Sequence, residues 1–90
     1  MTRKVITITT RYPRNRTERK IYGETNSDGN VVDIFISTPA NRKNTDLLDT
    51  VYHELTHAIV KLYKTKLSGR REERLCRAIG KAAVEAFTNA

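Results

Sequence analysis

Residues 45–62 read TDLLDTVYHELTHAIVKL and contain the strongest structural signal in the chain. Apolar residues recur there at the three- and four-residue spacing of one helix face, which predicts a helix over residues 46–64. Thr45 is the expected N-cap, and Asp46 adds a favourable charge to the first turn. The stripe expected to cover a core consists of Leu47, Leu48, Val51, Leu55, Ala58, Ile59 and Leu62. His53 and His57 project from the opposite side of this helix.

The pentapeptide His53-Glu54-Leu55-Thr56-His57 matches the pattern H-E-x-x-H. Positions i and i+4 are neighbours on a helix, so two imidazoles one turn apart can bind a single Zn²⁺, each at about 2.0–2.1 Å. Glu54 is then suitably located to take a proton from a zinc-bound water, which makes it the candidate catalytic base. The pattern predicts a metallohydrolase with Zn²⁺ as its cofactor, held by His53 and His57. These are the only two histidines in the chain.

A catalytic zinc needs a third protein ligand and leaves its fourth position to water. The candidates are Glu72 and Glu73, in the first turn of a second predicted helix. On a helical wheel Glu72 points toward the apolar face around Cys76, where an unpaired charge would be costly, and Glu73 lies nearer the edge. We therefore predict Glu72 as the third ligand, with Glu73 as the alternative. In a purely structural interpretation both glutamates only stabilise their helix N-terminus, and Cys76 is a small buried apolar residue.

The remaining sequence predicts an α+β fold, with a small antiparallel sheet of about three strands, the H-E-x-x-H helix and a second, C-terminal helix. Val5 to Thr10 alternates as a strand. Lys20–Glu24 and Val31–Ser37 flank a turn at residues 26–30 and predict a β-hairpin. The basic stretch over residues 11–19 has no periodicity and predicts an exposed loop. The second helix is expected from Arg70 to about Thr88, with Gly80 as a point of close packing.

Length and composition favour one small domain over residues 1–90, because ninety residues bury too little apolar surface for two cores. The sequence contains neither a long apolar run nor a signal-peptide pattern, so we expect no membrane partner and a cytoplasmic location. With Cys76 as the only cysteine, no internal disulfide can form. The net charge of +7 is uneven: about +6 over residues 1–20, −4 over residues 21–60 and +5 over residues 61–90.

The chain resembles the gluzincin metallopeptidases, in which a glutamate on the next helix completes H-E-x-x-H, and is most similar to very short phage-type members. The resemblance covers roughly residues 20–88. Its matching segments are Ile21-Tyr22-Gly23-Glu24, Val32-Asp33-Ile34, residues 49–59, and Glu72-Glu73-Arg74-Leu75-Cys76. It implies a zinc-dependent peptidase-like domain with a strand along the cleft above the active-site helix. Gluzincins often carry an acidic residue one turn after the ligand glutamate, and this chain has Cys76 or Arg77 there instead.

The predicted function is hydrolysis of a peptide or protein substrate, with an extended peptide added to an edge strand of the hairpin. The alternative is a non-catalytic, zinc-stabilised regulatory module that binds nucleic acid or protein. A phage-encoded protein of either kind would act in the host cytoplasm. The candidate nucleic-acid contacts are Arg11, Arg14, Arg16 and Arg19. A combination of the two functions would resemble the SprT-like proteases, which cut DNA-bound proteins.

Overall fold

The computed structural model describes residues 3–88 and confirms an α+β fold in which three strands and three helices are formed within that range. In chain order the elements are β1 Val5–Arg11, α1 Arg16–Arg19, β2 Gly23–Asp28, β3 Val31–Ser37, α2 Asn44–Leu62 and α3 Gly69–Thr88. The H-E-x-x-H residues lie on α2 and the Glu-Glu pair lies on α3, as predicted. No helix formed by residues 3–88 is long and apolar enough to cross a membrane.

The sheet is mixed, so the prediction of an antiparallel sheet was wrong for one strand pair. Its order is β1-β3-β2, with β2 antiparallel to β3 and β1 parallel to it from Val5↔Val31 to Arg11↔Ser37. The tight turn after β2 fixes that strand on one side of β3, which leaves only the other side for β1. Residues 12–22 carry the chain past the end of β3, and β2 becomes an edge strand beside α2.

The hairpin begins and turns later than the sequence predicted. Its first arm is Gly23–Asp28, and the turn is made by Gly29 and Asn30. Gly29 has a φ of 62°, a conformation that residues with a Cβ rarely adopt. The delayed turn pairs Thr25 with Ile34 and Gly23 with Ile36, so the first half of β2 runs beside the middle of α2.

One face of the sheet and one stripe of α2 form the core. The buried cluster consists of Val32, Ile34, Ile36, Ala58 and Leu62, and Ile6, Leu47, Val51 and Leu55 pack against it. This agrees with most of the predicted stripe, because alternate residues of β3 face the helix and residues three or four apart on α2 face the sheet. Two residues of the predicted stripe do not fit: Leu48 is not part of this cluster, and half of the surface of Ile59 is exposed.

The basic stretch predicted as a loop contains the short helix α1. Asn15 caps this helix, because its side-chain oxygen accepts a hydrogen bond from the backbone N–H of Glu18. Lys43, not Thr45, precedes the first residue of α2, and its side chain makes no capping hydrogen bond. Gly80 on α3 packs closely against Asp49 on α2, as predicted, and a Cβ at this position would meet the Asp49 carbonyl oxygen at 2.8 Å.

Candidate metal centre

Helix α2 presents the two histidines side by side. His53 and His57 lie one turn apart, their ring centroids are 5.1 Å from each other, and about a fifth of each side chain remains exposed. Neither side chain belongs to the apolar cluster between α2 and the sheet. The predicted pair of imidazoles is therefore partly accessible and free of the core.

Helix α3 brings a carboxylate against the Nε2 atoms of both histidines. The two oxygens of Glu73 lie 3.0 Å from Nε2 of His53 and 3.0 Å from Nε2 of His57. Glu72, which the wheel favoured as the metal ligand, instead contacts Nδ1 of His57 at 2.5 Å. The structure thus brings both candidate glutamates to the histidines, on different ring nitrogens.

His57 has a carboxylate at each of its two ring nitrogens. A neutral imidazole carries only one N–H, so it can donate a hydrogen bond to one of the two glutamates. Satisfying both requires a positive charge at His57, supplied either by a second proton or by a cation bound at one nitrogen.

Glu54 is buried between α2 and β2 and is held by Thr25. The Thr25 hydroxyl lies 2.7 Å from Oε1 of Glu54 and 3.1 Å from its backbone oxygen, and Oε2 lies 4.0 Å from Nε2 of His53. Gly23 permits this approach, since a Cβ there would come within 3.2 Å of Cγ of Glu54 and 2.8 Å of a carbonyl oxygen of β3. One carboxylate oxygen of Glu54 is thus fixed, and the other lies on the side of His53.

Cys76 lies directly behind the histidines. Its Sγ and one ring nitrogen of each of His53 and His57 all lie within 4.8 Å of one another. The thiol is fully buried, and burial together with the carboxylates of Glu73, Glu72 and Glu54 raises its pKa to about 12. A buried thiol of this kind is protonated at neutral pH, in agreement with the interpretation of Cys76 as a small packing residue.

The electrostatic balance of the centre is negative. Glu54, Glu72 and Glu73 converge on two imidazoles, whereas one arginine, Arg77, joins them with a 3.4 Å contact to Glu73. That arginine side chain is 76% exposed, so water screens its charge. Three carboxylates in a partly buried site favour a bound cation.

Two cavities flank Glu54 and Gly23 along α2. The larger, about 540 Å³, extends past His53 toward Asp46, Asp49 and Arg77, and the smaller, about 300 Å³, extends past His57 toward Lys61 and Glu72. The groove that they form lies beside β2, which is paired on one side only. An extended chain in this groove would pass both the histidines and an open strand edge.

The four arginines predicted to contact nucleic acid do not form one free surface. Arg11 makes two 2.8 Å hydrogen bonds to Glu18 and lies 4.1 Å from the centre of the Phe35 ring. Arg14, Arg16 and Arg19 are exposed around α1. Arg11 is therefore occupied within the fold, and three cations remain on this surface.

Sequence reasoning missed Thr25, Gly23 and Arg77 as parts of the site. Thr25 lies 29 residues before Glu54, and no local pattern indicates their contact. In the sequence Gly23 is only one residue of a segment that matches the resemblance, and Arg77 stands where gluzincins often carry an acid, so neither was predicted to reach the site. Comparison with protein-family models, with curated proteins and with solved structures found no match for the chain.

Proposed function

We propose that this protein is a zinc-dependent hydrolase of peptide bonds, in which His53, His57 and Glu73 hold the metal and Glu54 is the catalytic base. The observation that carries the proposal is the position of His57 between two carboxylates. With a divalent cation at Nε2, Glu73 gains a positive partner and the Nδ1–H group is free to donate to Glu72. The chain would then be a gluzincin-like metallopeptidase of the short, phage type.

The donor set fits zinc. Two imidazole nitrogens and one carboxylate are a recurrent catalytic set that leaves a position open, and Glu73 contacts both Nε2 atoms. In this proposal Glu72 orients His57 through its hydrogen bond to Nδ1, a role that carboxylates often have behind metal-bound histidines. Gluzincins often carry an acidic residue one turn after the ligand glutamate. In this chain Glu72, the residue just before Glu73, would take its place.

The roles of the residues follow from the contacts of Glu54. Zinc held by this set would supply a Lewis acid that polarises a carbonyl group and makes a water molecule acidic. Glu54 would accept the proton of that water on Oε2, the oxygen nearest to Nε2 of His53, and pass it to the departing amine. Thr25 would act as a positioning residue, since its hydroxyl holds Oε1 and the backbone of the same glutamate.

A peptide is the substrate that the groove favours. The groove runs along α2 beside the unpaired edge of β2, where an extended chain can add as a further strand. Pairing of this kind uses backbone groups, so it suits a peptide substrate of varied sequence. The scissile carbonyl would lie where both cavities meet, at Gly23 and Glu54.

One experiment separates catalysis from metal binding. Zinc-loaded wild type and Glu54→Gln are incubated with a diverse peptide library, and cleavage is measured by mass spectrometry. We expect cleavage by wild type only, with equal zinc content in both proteins, because Glu54 is the base and not a ligand. Cleavage by both proteins at the same rate would contradict the role of Glu54.

A zinc-stabilised binding protein without catalysis is the second candidate. The proposed ligands come from two different helices, His53 and His57 from α2 and Glu73 from α3. A bound metal would therefore stabilise the packing of α3 against α2, which favours this candidate. In the same experiment this candidate predicts bound zinc and a raised melting temperature without cleavage of any peptide.

A further inference from the structure

Helix α3 carries a row of exposed basic residues on the side away from the core. The row, named here the α3 stripe, consists of Arg70, Arg74, Arg77 and Lys81. At 3.6 residues per turn these positions fall within about 60° of one another, and the 1.5 Å rise per residue spreads them over about 16 Å. Four cations therefore form a straight line along one helix.

The acids of α3 do not neutralise this line. Glu72 and Glu73 contact His57, and Glu85 lies one turn beyond Lys81. Arg77 contacts Glu73, whereas within residues 3–88 no carboxylate oxygen lies within 4.0 Å of the charged groups of Arg70, Arg74 or Lys81. Glu73 is three residues from Arg70 and Glu85 is four residues from Lys81, a spacing that permits pairing, but no ion pair joins either couple within residues 3–88. Three charges of the α3 stripe are left for a partner.

The basic surface around α1 is a weaker candidate. Its Arg11 is bound to Glu18, and α1 is only four residues long, so Arg14, Arg16 and Arg19 follow no extended helix. The contact with an anionic partner is therefore expected at α3 and not at the N-terminal arginines.

We propose that the α3 stripe binds the phosphate backbone of duplex DNA without reading its sequence. Duplex DNA carries one negative charge per about 1.7 Å of its axis, so a straight row of cations meets phosphates along its whole length. The α3 stripe contains no aromatic side chain on which an unpaired base could stack, which disfavours single strands. Cys76, Gly80 and Ala83 of α3 are buried, and its exposed large apolar side chains, Leu75, Ile79 and Phe87, fall outside the 60° arc of the α3 stripe. A lipid surface in contact with the α3 stripe would therefore leave these apolar side chains in water. The proposal does not depend on the metal site.

The test compares two variants that each lose three positive charges. One is the triple variant Arg70→Gln, Arg74→Gln and Lys81→Gln on the α3 stripe, and its matched control is Arg14→Gln, Arg16→Gln and Arg19→Gln around α1. Arg77 is kept because it contacts Glu73. Binding of the full chain to a short labelled DNA duplex is followed by fluorescence anisotropy over a range of salt concentrations.

We expect the stripe variant to lose at least tenfold in affinity and its salt slope to fall by about 3, because each lost phosphate contact removes about 0.9 from the slope. The α1 variant should bind like wild type. Equal losses in both variants would show an effect of net charge alone and overturn the proposal. Tighter binding of a single strand, or of anionic lipid vesicles, than of the duplex would overturn it as well.

A second measurement keeps the proposal testable if a triple variant is poorly folded. Amide resonances of wild type are recorded by NMR during titration with the same duplex. Changes concentrated in residues 70–81 support the α3 stripe, and changes concentrated in residues 11–20 contradict it.

Discussion

The carboxylates of Glu18 and Glu73 each bridge two nitrogen atoms, but the chemistry of those nitrogens differs. Both oxygens of Glu18 contact the guanidinium of Arg11 at 2.8 Å, and one also accepts a hydrogen bond from the backbone N–H of Arg14. The hydrogen bond from Arg11 is the largest cause of a Glu18 pKa of about 2, and the N–H of Arg14 lowers it further. This carboxylate is neutralised by a permanent cation that belongs to the fold.

Among residues 3–88, Glu73 has no equivalent partner. Its oxygens contact two imidazoles, and its one arginine contact, to Arg77, is longer and exposed. Glu72 and Glu54 add negative charge to the same centre. The comparison indicates that the Glu18 cluster is complete as folded, whereas the histidine cluster gains most from an added cation.

The largest expected effect is on zinc affinity at α3. Glu73→Gln should weaken zinc binding more than about 100-fold, because it removes a charged ligand, and Glu72→Gln should cost only about 10–100-fold, as for a residue that orients a ligand. Titration against a competing chelator measures both. The double variant His53→Ala with His57→Ala is the control without a site. The opposite order of the two glutamates would restore Glu72 as the ligand, as the helical wheel predicted.

A smaller effect is expected at Thr25. Thr25→Val should lower the rate of peptide cleavage about 10–100-fold, because Glu54 loses the hydrogen bond that fixes Oε1. Zinc affinity should be unchanged, and Thr25→Ser, which keeps the hydroxyl, should restore the rate. Equal rates in Thr25→Val and wild type would show that Glu54 needs no such support.

The smallest expected effect is on the pH dependence of folding stability, and it comes from the ion pair of Glu18 with Arg11. The Glu18 pKa is lowered from 4.5 to about 2, so its ion pair stabilises the fold fully above pH 4.5 and is lost as the pH falls toward 2. The difference in unfolding free energy between wild type and Glu18→Gln should shrink over this range. Thermal unfolding at several pH values, with and without zinc, measures it. A dependence of this difference on zinc would link two clusters that we treat as separate.

Local sequence patterns predicted the helices α2 and α3 and the position of the two histidines side by side on α2. The stripe on α2 and the spacing of His53 and His57 both depend on a single helix, whose geometry is known in advance. The same reasoning predicted β1 as a strand but gave it the wrong pairing direction, because strand pairing depends on which side of β3 is left open once the hairpin has formed. It also placed the hairpin turn too early, since polar residues 26–28 continue β2.

The choice between Glu72 and Glu73 could not be made from a wheel. A wheel gives the direction of a side chain about its own helix axis, but the contact with one ring nitrogen or the other depends on how α3 crosses α2. Gly80 allows that close crossing, and adjacent glutamates then reach different sides of His57. The contact of Thr25 with Glu54 has the same non-local origin.

X-ray absorption spectroscopy of the zinc-loaded protein tests the central claim most directly. We predict one zinc per chain in a shell of nitrogen and oxygen ligands at about 2.0–2.2 Å, with two imidazoles and no sulfur. Replacement of Cys76 by alanine should leave this spectrum unchanged. A sulfur ligand at about 2.3 Å would contradict the assignment of Glu73, and failure of the folded protein to bind zinc at all would contradict the account of the histidine cluster as a metal site.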